Sequence, residues 1–185
     1  MTNIKDVYYY RANKGNGIEE NDFMVDGENC NCFIMFMRCL NNLPGRIANF
    51  ADFYALIPPN DMMGIAPGED VGFPQNGPIG GTGITRLSDT AFNLANIGTY
   101  QIFFEVSINE SGQLLLTLNG TDLDYTVVGR ATGTSQIVGM TLVRTTVANS
   151  VLTVRNPLGN NTLTLTPNAG GERAVSTHLV ITQIN

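Results

Sequence analysis

The sequence predicts an all-β fold, a jelly-roll β-sandwich preceded by a short N-terminal extension. Three observations predict it. After Phe50, short apolar runs recur about every ten to fifteen residues, each bounded by Gly, Pro, Asn or Asp clusters that break a strand. Within these runs the side chains alternate with period two, as a half-buried strand requires. Helical spacing is absent over the same stretch.

The chain divides near residue 48, giving an attachment or assembly segment over 1–48 and a β domain over 49–185. The opening MTNIKDVYYYRANKGNGIEENDF is polar and glycine-punctuated, without sustained periodicity. Cys32–Leu43 reads either as one short helix closed by Pro44 and Gly45 or as a strand. In the β domain, TYQIFFEVSI is the clearest strand. Tyr100, Ile102, Phe104, Val106 and Ile108 share one face, with Thr99, Gln101, Glu105 and Ser107 on the other. Next, GQLLLTLNGTDLDYTVVG aligns Leu114, Leu116 and Leu118, then turns at Asn119-Gly120, a pair suited to the positive φ angles of a tight hairpin. The runs TSQIVGMTLVRTTV, NSVLTVRNP and RAVSTHLVITQI supply further strands, while PNDMMGIAPG, NGPIGGTG and PNAGG read as breakers. Two layers of such strands make a sandwich.

The strand TSQIVGMTLVRTTV departs from simple alternation. Ile137 and Val143 lie on one face, and Val138, Met140 and Leu142 on the other. A strand apolar on both sides needs a second cover, and a single sandwich supplies one. Gly139 offers close approach. Phe103 and Leu115 also sit on the otherwise polar faces of their strands. Either a loop covers these five residues, or they form a subunit interface around a symmetry axis. The sequence favours the interface.

Composition narrows the function classes. At 185 residues, roughly 70% of the unfolded surface can be buried, so neither metal nor disulfide is required for folding. Charged residues are 14% and the net charge is −6, with a pI near 4.6. Nucleic acid is not an expected partner, because phosphate binding needs a basic patch. A surface poor in charge but rich in Thr, Asn and Gly is one that other proteins can pack against. No secretory signal pattern is visible at the N-terminus. The longest apolar run, Phe33–Met37, is far short of the ~20 residues of a spanning helix, so no membrane insertion is expected.

Several segments together carry a resemblance: ADFYALIPP, GFPQNGPI, NIGTYQIFFEVSI, LTLNG, VVGRATGTSQIVG, VLTVRNP and VSTHLVITQI. In this order they resemble the C-terminal head domain of the BclA family, the Bacillus collagen-like exosporium glycoproteins, over about Phe50 to Asn185. The resemblance implies a jelly roll like those of tumour necrosis factor (TNF) and the complement globular head, assembled as a compact trimer on the outer surface of an endospore. It implies no catalysis. One departure matters: residues 1–48 contain no Gly-X-Y period, so the collagen-like stalk of the founding family is missing. A head fixed directly to a coat layer, or polymerised into an appendage, is the alternative, and a virion surface or capsid is a second setting.

Candidate chemistry is sparse, and no cofactor is expected. His178 is the only histidine, whereas a jelly-roll metal centre needs several. A serine–histidine–acid triad remains formally open, but no GxSxG elbow occurs. GPIGGTG lacks the Lys-Ser/Thr ending of a phosphate loop. Glu69, Asp70, Asp122 and Asp124 are either surface carboxylates or part of a calcium loop. Asn109, Asn119 and Asn160 head glycosylation sequons, relevant only in a eukaryotic secretory setting.

Every cysteine lies in DGENCNCFIMFMRC, as Cys30, Cys32 and Cys39. Three sulfurs without a nearby histidine make a poor zinc site, and Cys30 and Cys32 are too close in the chain to pair without strain. Intermolecular disulfides or reduced, partly buried thiols remain. Two functions follow: a trimeric structural head attached through residues 1–48 to other coat or surface-layer proteins, or a module recognising a glycan or receptor through loops such as 58–68 and 157–172.

Overall fold

A computed structural model describes residues 49–60, 64–131 and 135–185. Strands β1 (Phe50–Ile57), β2 (Gln75–Gly80), β3 (Ile84–Arg86), β4 (Phe92–Leu94), β5 (Gly98–Ile108) and β6 (Gly112–Leu118) are followed by β7 (Thr121–Asp122) and a 3₁₀ turn at Asp124–Thr126. Then come β8 (Val128–Arg130), β9 (Ser135–Thr145), β10 (Ser150–Arg155) and β11 (Val175–Gln183). They form two antiparallel sheets, β2-β1-β11-β5-β9 and β3-β4-β10-β6-β7, with β8 added beside β6. The long crossovers that place β11 between β1 and β5, and β10 between β4 and β6, give the jelly-roll winding.

The predicted alternation is what builds the core. Tyr100, Ile102, Phe104, Val106 and Ile108 of β5 are all buried, facing Leu114 and Leu116 of β6 and Leu152 and Val154 of β10. Phe53 of one sheet stacks on Phe92 of the other at 4.5 Å between ring centroids, and Phe73 meets Phe92 edge-on at 6.1 Å. Aromatic contacts of this kind add about 0.5–1.5 kcal/mol each beyond area burial. The buried Tyr100 hydroxyl donates to the Asn96 carbonyl at 2.8 Å. Burial pushes its phenol upward, and this hydrogen bond opposes the shift. At the predicted hairpin, Asn119 and Gly120 both adopt positive φ (53° and 80°), and Leu118 pairs with Thr121.

One sequence expectation changes. NGPIGGTG, read as a breaker, contributes to strand β2. Pro78 is tolerated because β2 lies at the sheet edge, where a missing N–H costs no ladder bond. Its glycines make room for β1: a Cβ on Gly77 would come within 2.9 Å of the Asp52 carboxylate, and one on Gly80 would strike the Phe50 ring. Gly139 offers the close approach expected of it on the inner face of β9. A Cβ there would lie 2.5 Å from Phe104 Cζ and 3.1 Å from Val128 Cγ2.

The expected consequence is direct. Gly139→Ala must displace the Phe104 ring, costing about 1–3 kcal/mol and lowering the thermal unfolding midpoint by several degrees. An unchanged midpoint would refute this packing.

Candidate functional site

The outer face of the sheet β2-β1-β11-β5-β9 is set by register. Three rows cross it from β1 to β9: Phe50–Thr182–Gln101–Leu142, Asp52–Val180–Phe103–Met140 and Tyr54–His178–Glu105–Val138. The β9 ends of these rows are open. Val138 is 51% exposed, Met140 68% and Leu142 54%, while Phe103 is half-buried. Of the five residues marked by the sequence, these four therefore share one face, with no loop of the described chain over β9.

Leu115 does not join them. It lies on the other sheet and is 2% exposed, so its cover comes from its own chain. Its partner across β10 is Arg155, and segment 68–71 runs beside β10 through hydrogen bonds from Val71 N to the Val154 carbonyl and from Asn156 N to the Glu69 carbonyl. Thr117 and Thr153 on this face are buried as well and hydrogen-bonded to each other at 2.8 Å. The two sheets thus differ: Leu115, Thr117 and Thr153 are buried on the outer face of one, whereas the outer face of the other is left open along β9.

The open surface also turns a corner. β9 is an edge strand, and the exposed Tyr125 on the 3₁₀ turn donates its hydroxyl to the Leu142 carbonyl at 3.1 Å. The apolar surface thereby extends from the sheet face round the β9 edge.

One polar chain crosses the same face. His178 Nδ1 lies 2.9 Å from Asp52 Oδ1, and His178 Nε2 lies 3.0 Å from Ser176 Oγ. The Tyr54 ring stacks on the imidazole with centroids 5.8 Å apart. This is the order of groups in a serine hydrolase relay. Acyl transfer further needs donors aimed at the developing oxyanion and a pocket for the substrate. A groove of about 540 Å³ among the described residues is lined by Gln113, Gly129, Arg130, Asn160 and Asn161, among others, and includes none of the three. What the arrangement does supply is mutual satisfaction of polar atoms on an apolar face, which lets such a face be dried.

The candidate calcium carboxylates are brought together in part. Arg155 Nε lies 2.8 Å from Asp70 Oδ1, and Arg155 Nη1 lies 3.2 Å from Asp122 Oδ1. The cation between these two carboxylates is the chain's own guanidinium. Its pKa is raised above the ordinary range, first by the hydrogen bond to Asp70 and against the effect of partial burial. Asp124 begins the 3₁₀ turn, and Glu69 accepts from Ala66 N at 2.9 Å. Among the described residues, no group of three or more His, Cys, Asp or Glu side chains is placed to share a metal ion. No helix among them is long and apolar enough to cross a membrane.

The sequon asparagines serve the fold. Asn109 Oδ1 accepts from Thr166, Asn119 Oδ1 accepts from Val151 N, and Asn160 Nδ2 donates to the Gln113 carbonyl. Sequence reading missed Asp52 and Ser176 beside His178, and Asn156, which is fully buried and donates to the Ile65 and Asn161 carbonyls. Ser176, two residues before His178 on one strand, was the available signal. Asp52 needed the β1–β11 register. Cys30, Cys32 and Cys39 lie outside the described residues.

No family model and no curated protein matches the sequence. Solved structures do match. The chain is similar to the PRD1 vertex protein P5 at 18% identity, covering 76% of this chain and 100% of that one, with a TM-score of 0.50. It is similar to the globular domain of zebrafish complement 1qA at 10% identity, 74% and 96% coverage and a TM-score of 0.52. Murine APRIL follows at 15% identity, 72% and 98% coverage and a TM-score of 0.51. The fold is a TNF/C1q-like jelly roll.

Proposed function

We propose that this protein is a non-enzymatic structural surface component, a homotrimeric jelly roll that builds or decorates a spore exosporium, coat layer or appendage. The observation that carries self-association is the open apolar band of Val138, Met140 and Leu142, continued inward by Phe103 and Val180. Exposed apolar surface of this extent along one strand marks an interaction site. Its shape supports a ring. A two-fold dimer matches one patch to itself, whereas a band that wraps from a face onto an edge suits the contact of one copy's edge with the next copy's face, repeated until it closes. The trimer implied by the BclA resemblance has this character, and the TNF/C1q-like fold agrees with it.

The spore setting rests on the BclA-like segments alone. A virion surface is the second reading, and it is favoured by the similarity to a viral vertex protein over the whole of that solved chain. A recognition module is the third. The groove beside Gln113, Arg130 and Asn160 adjoins loop 157–172 and offers amides to a polar ligand such as a glycan. Residues 1–48 serve attachment in the first reading, with Cys30, Cys32 and Cys39 forming disulfides to neighbouring subunits or coat proteins where the surroundings oxidise them.

Two outcomes are expected. Sedimentation at micromolar concentration gives a mass near three chains, and Leu142→Asp weakens assembly at least about 100-fold, since an unpaired buried charge costs several kcal/mol. The monomer's far-UV circular dichroism stays unchanged, because Leu142 is exposed within the chain. A wild-type monomer at these concentrations sinks the proposal. On non-reducing gels, protein from the native assembly runs as a cross-linked ladder that collapses on reduction; monomer bands alone would rule out the disulfides.

A further inference from the structure

The polar groups around His178 on the open sheet face have one property that self-association alone does not use. His178 on β11 is flanked from both neighbouring strands. From β1, Asp52 reaches its Nδ1 at 2.9 Å, and Tyr54 stacks on the ring. From β5, Glu105 stands directly opposite it in register. Directly opposed residues of an antiparallel pair have Cβ atoms about 4.5–5.5 Å apart, so the Glu105 carboxylate is within reach of the imidazole charge. Arg144, on the same side of β9, sits opposite Thr99 at the far end of the strand pair. The imidazole is therefore bonded to one carboxylate and has a second opposite it in register, on a face that also carries Val138, Phe103, Met140 and Val180.

We propose that protonation of His178 controls the association of this face, so that assembly tightens as the pH falls through the imidazole range. The inference rests on the self-association reading above and names its regulation. Imidazole is the one ordinary side chain whose charge changes between about pH 5 and 8. With His178 neutral, the cluster carries two negative charges per copy; with His178 protonated, it carries one. Covering the face removes water from these groups, and an unpaired carboxylate is the costliest of them to dry. Association thus favours the protonated imidazole and takes up protons.

The hydrogen bonding permits both states. In the neutral form, Nδ1–H points to Asp52 and Nε2 accepts from the Ser176 hydroxyl. When a proton is added at Nε2, the Ser176 hydroxyl rotates to accept in turn. In both states Nδ1 is bonded to Asp52 and Nε2 to Ser176, so the two states differ in charge and in where the Ser176 O–H points. This also gives the serine a purpose that requires no acyl chemistry.

The sign follows from linkage. Association raises the imidazole's proton affinity, so its contribution is fully present below the free chain's imidazole titration. That contribution is lost as the pH rises through the assembled protein's titration. Each proton taken up changes the association constant by up to about tenfold per pH unit, and three copies change the overall constant by up to about 10³.

Sedimentation velocity of the full chain between pH 5.5 and 8.5, over a concentration series, tests this. The wild type is expected to dissociate at concentrations at least about tenfold higher at pH 8 than at pH 5.5. His178→Gln, which keeps hydrogen-bonding capacity without the titration, flattens this dependence. Glu105→Gln tightens association at pH 8 by removing one of the opposed carboxylates. General loss of net charge toward the pI near 4.6 acts on His178→Gln as well, so the difference between the two proteins isolates the imidazole. Folding of each variant is confirmed by circular dichroism at both pH values. Assembly with the same affinity at every pH, or an equal pH dependence in wild type and a folded His178→Gln, overturns this inference and leaves self-association standing. A wild type that is monomeric at all pH values overturns both. Should His178→Gln not fold, Glu105→Gln decides alone: association at pH 8 no tighter than wild type refutes the proposal.

Discussion

Side chains on a β-strand alternate between two faces, and β9 is apolar on both. Inward, Ile137 and Val143 close the core while Gly139 leaves space for the Phe104 ring. Outward, Val138, Met140 and Leu142 stand in water. A register slip of one residue would exchange the two sets, and it is blocked because only glycine fits against Phe104. The inner packing of β9 therefore fixes which side chains are presented outside. Core and surface of this strand are one constraint.

The contrast between the two sheets gives that constraint its meaning. On the β3-β4-β10-β6-β7 sheet, the outward Leu115, Thr117 and Thr153 are covered by the chain's own segments, and Asp70 and Asp122 are joined through Arg155. Buried Asn156 ties the segment around Ile65 to that around Asn161. Asn49 does similar work at the other margin, donating to Gln183 and accepting from Gly83 N. The same polar economy appears in the Asp52–His178–Ser176 chain, but on a face that is left open. Val138, Met140 and Leu142 have no comparable cover within the described residues.

Much of this was legible in the sequence because alternation is a local signal. The strands around Tyr100–Ile108, Leu114–Leu118 and Ile137–Val143 declare their faces without any tertiary knowledge, and Asn119-Gly120 declares its turn. What failed was whatever depended on a partner strand. NGPIGGTG reads as loop by composition, yet it pairs with β1 because Asp52 and Phe50 occupy the space that larger residues would need. Leu115 and Phe103 look alike in sequence, each an apolar residue on a polar face. They part only when their neighbours are known: Leu115 lies opposite Arg155 of β10, and Phe103 opposite Met140 of the edge strand β9. The Asp52–His178 contact spans 126 positions and follows from the register of β1 with β11, which no local pattern encodes.

The central claim is that the open face of the five-stranded sheet is covered by further copies of the same chain. An experimental structure of the assembled protein, by crystallography or electron cryomicroscopy, tests it most directly. The expected result is a three-fold axis with Val138, Met140 and Leu142 of each subunit buried against the Phe103–Val180 region of the next. An assembly joined through the other sheet, with these side chains facing solvent, would contradict it.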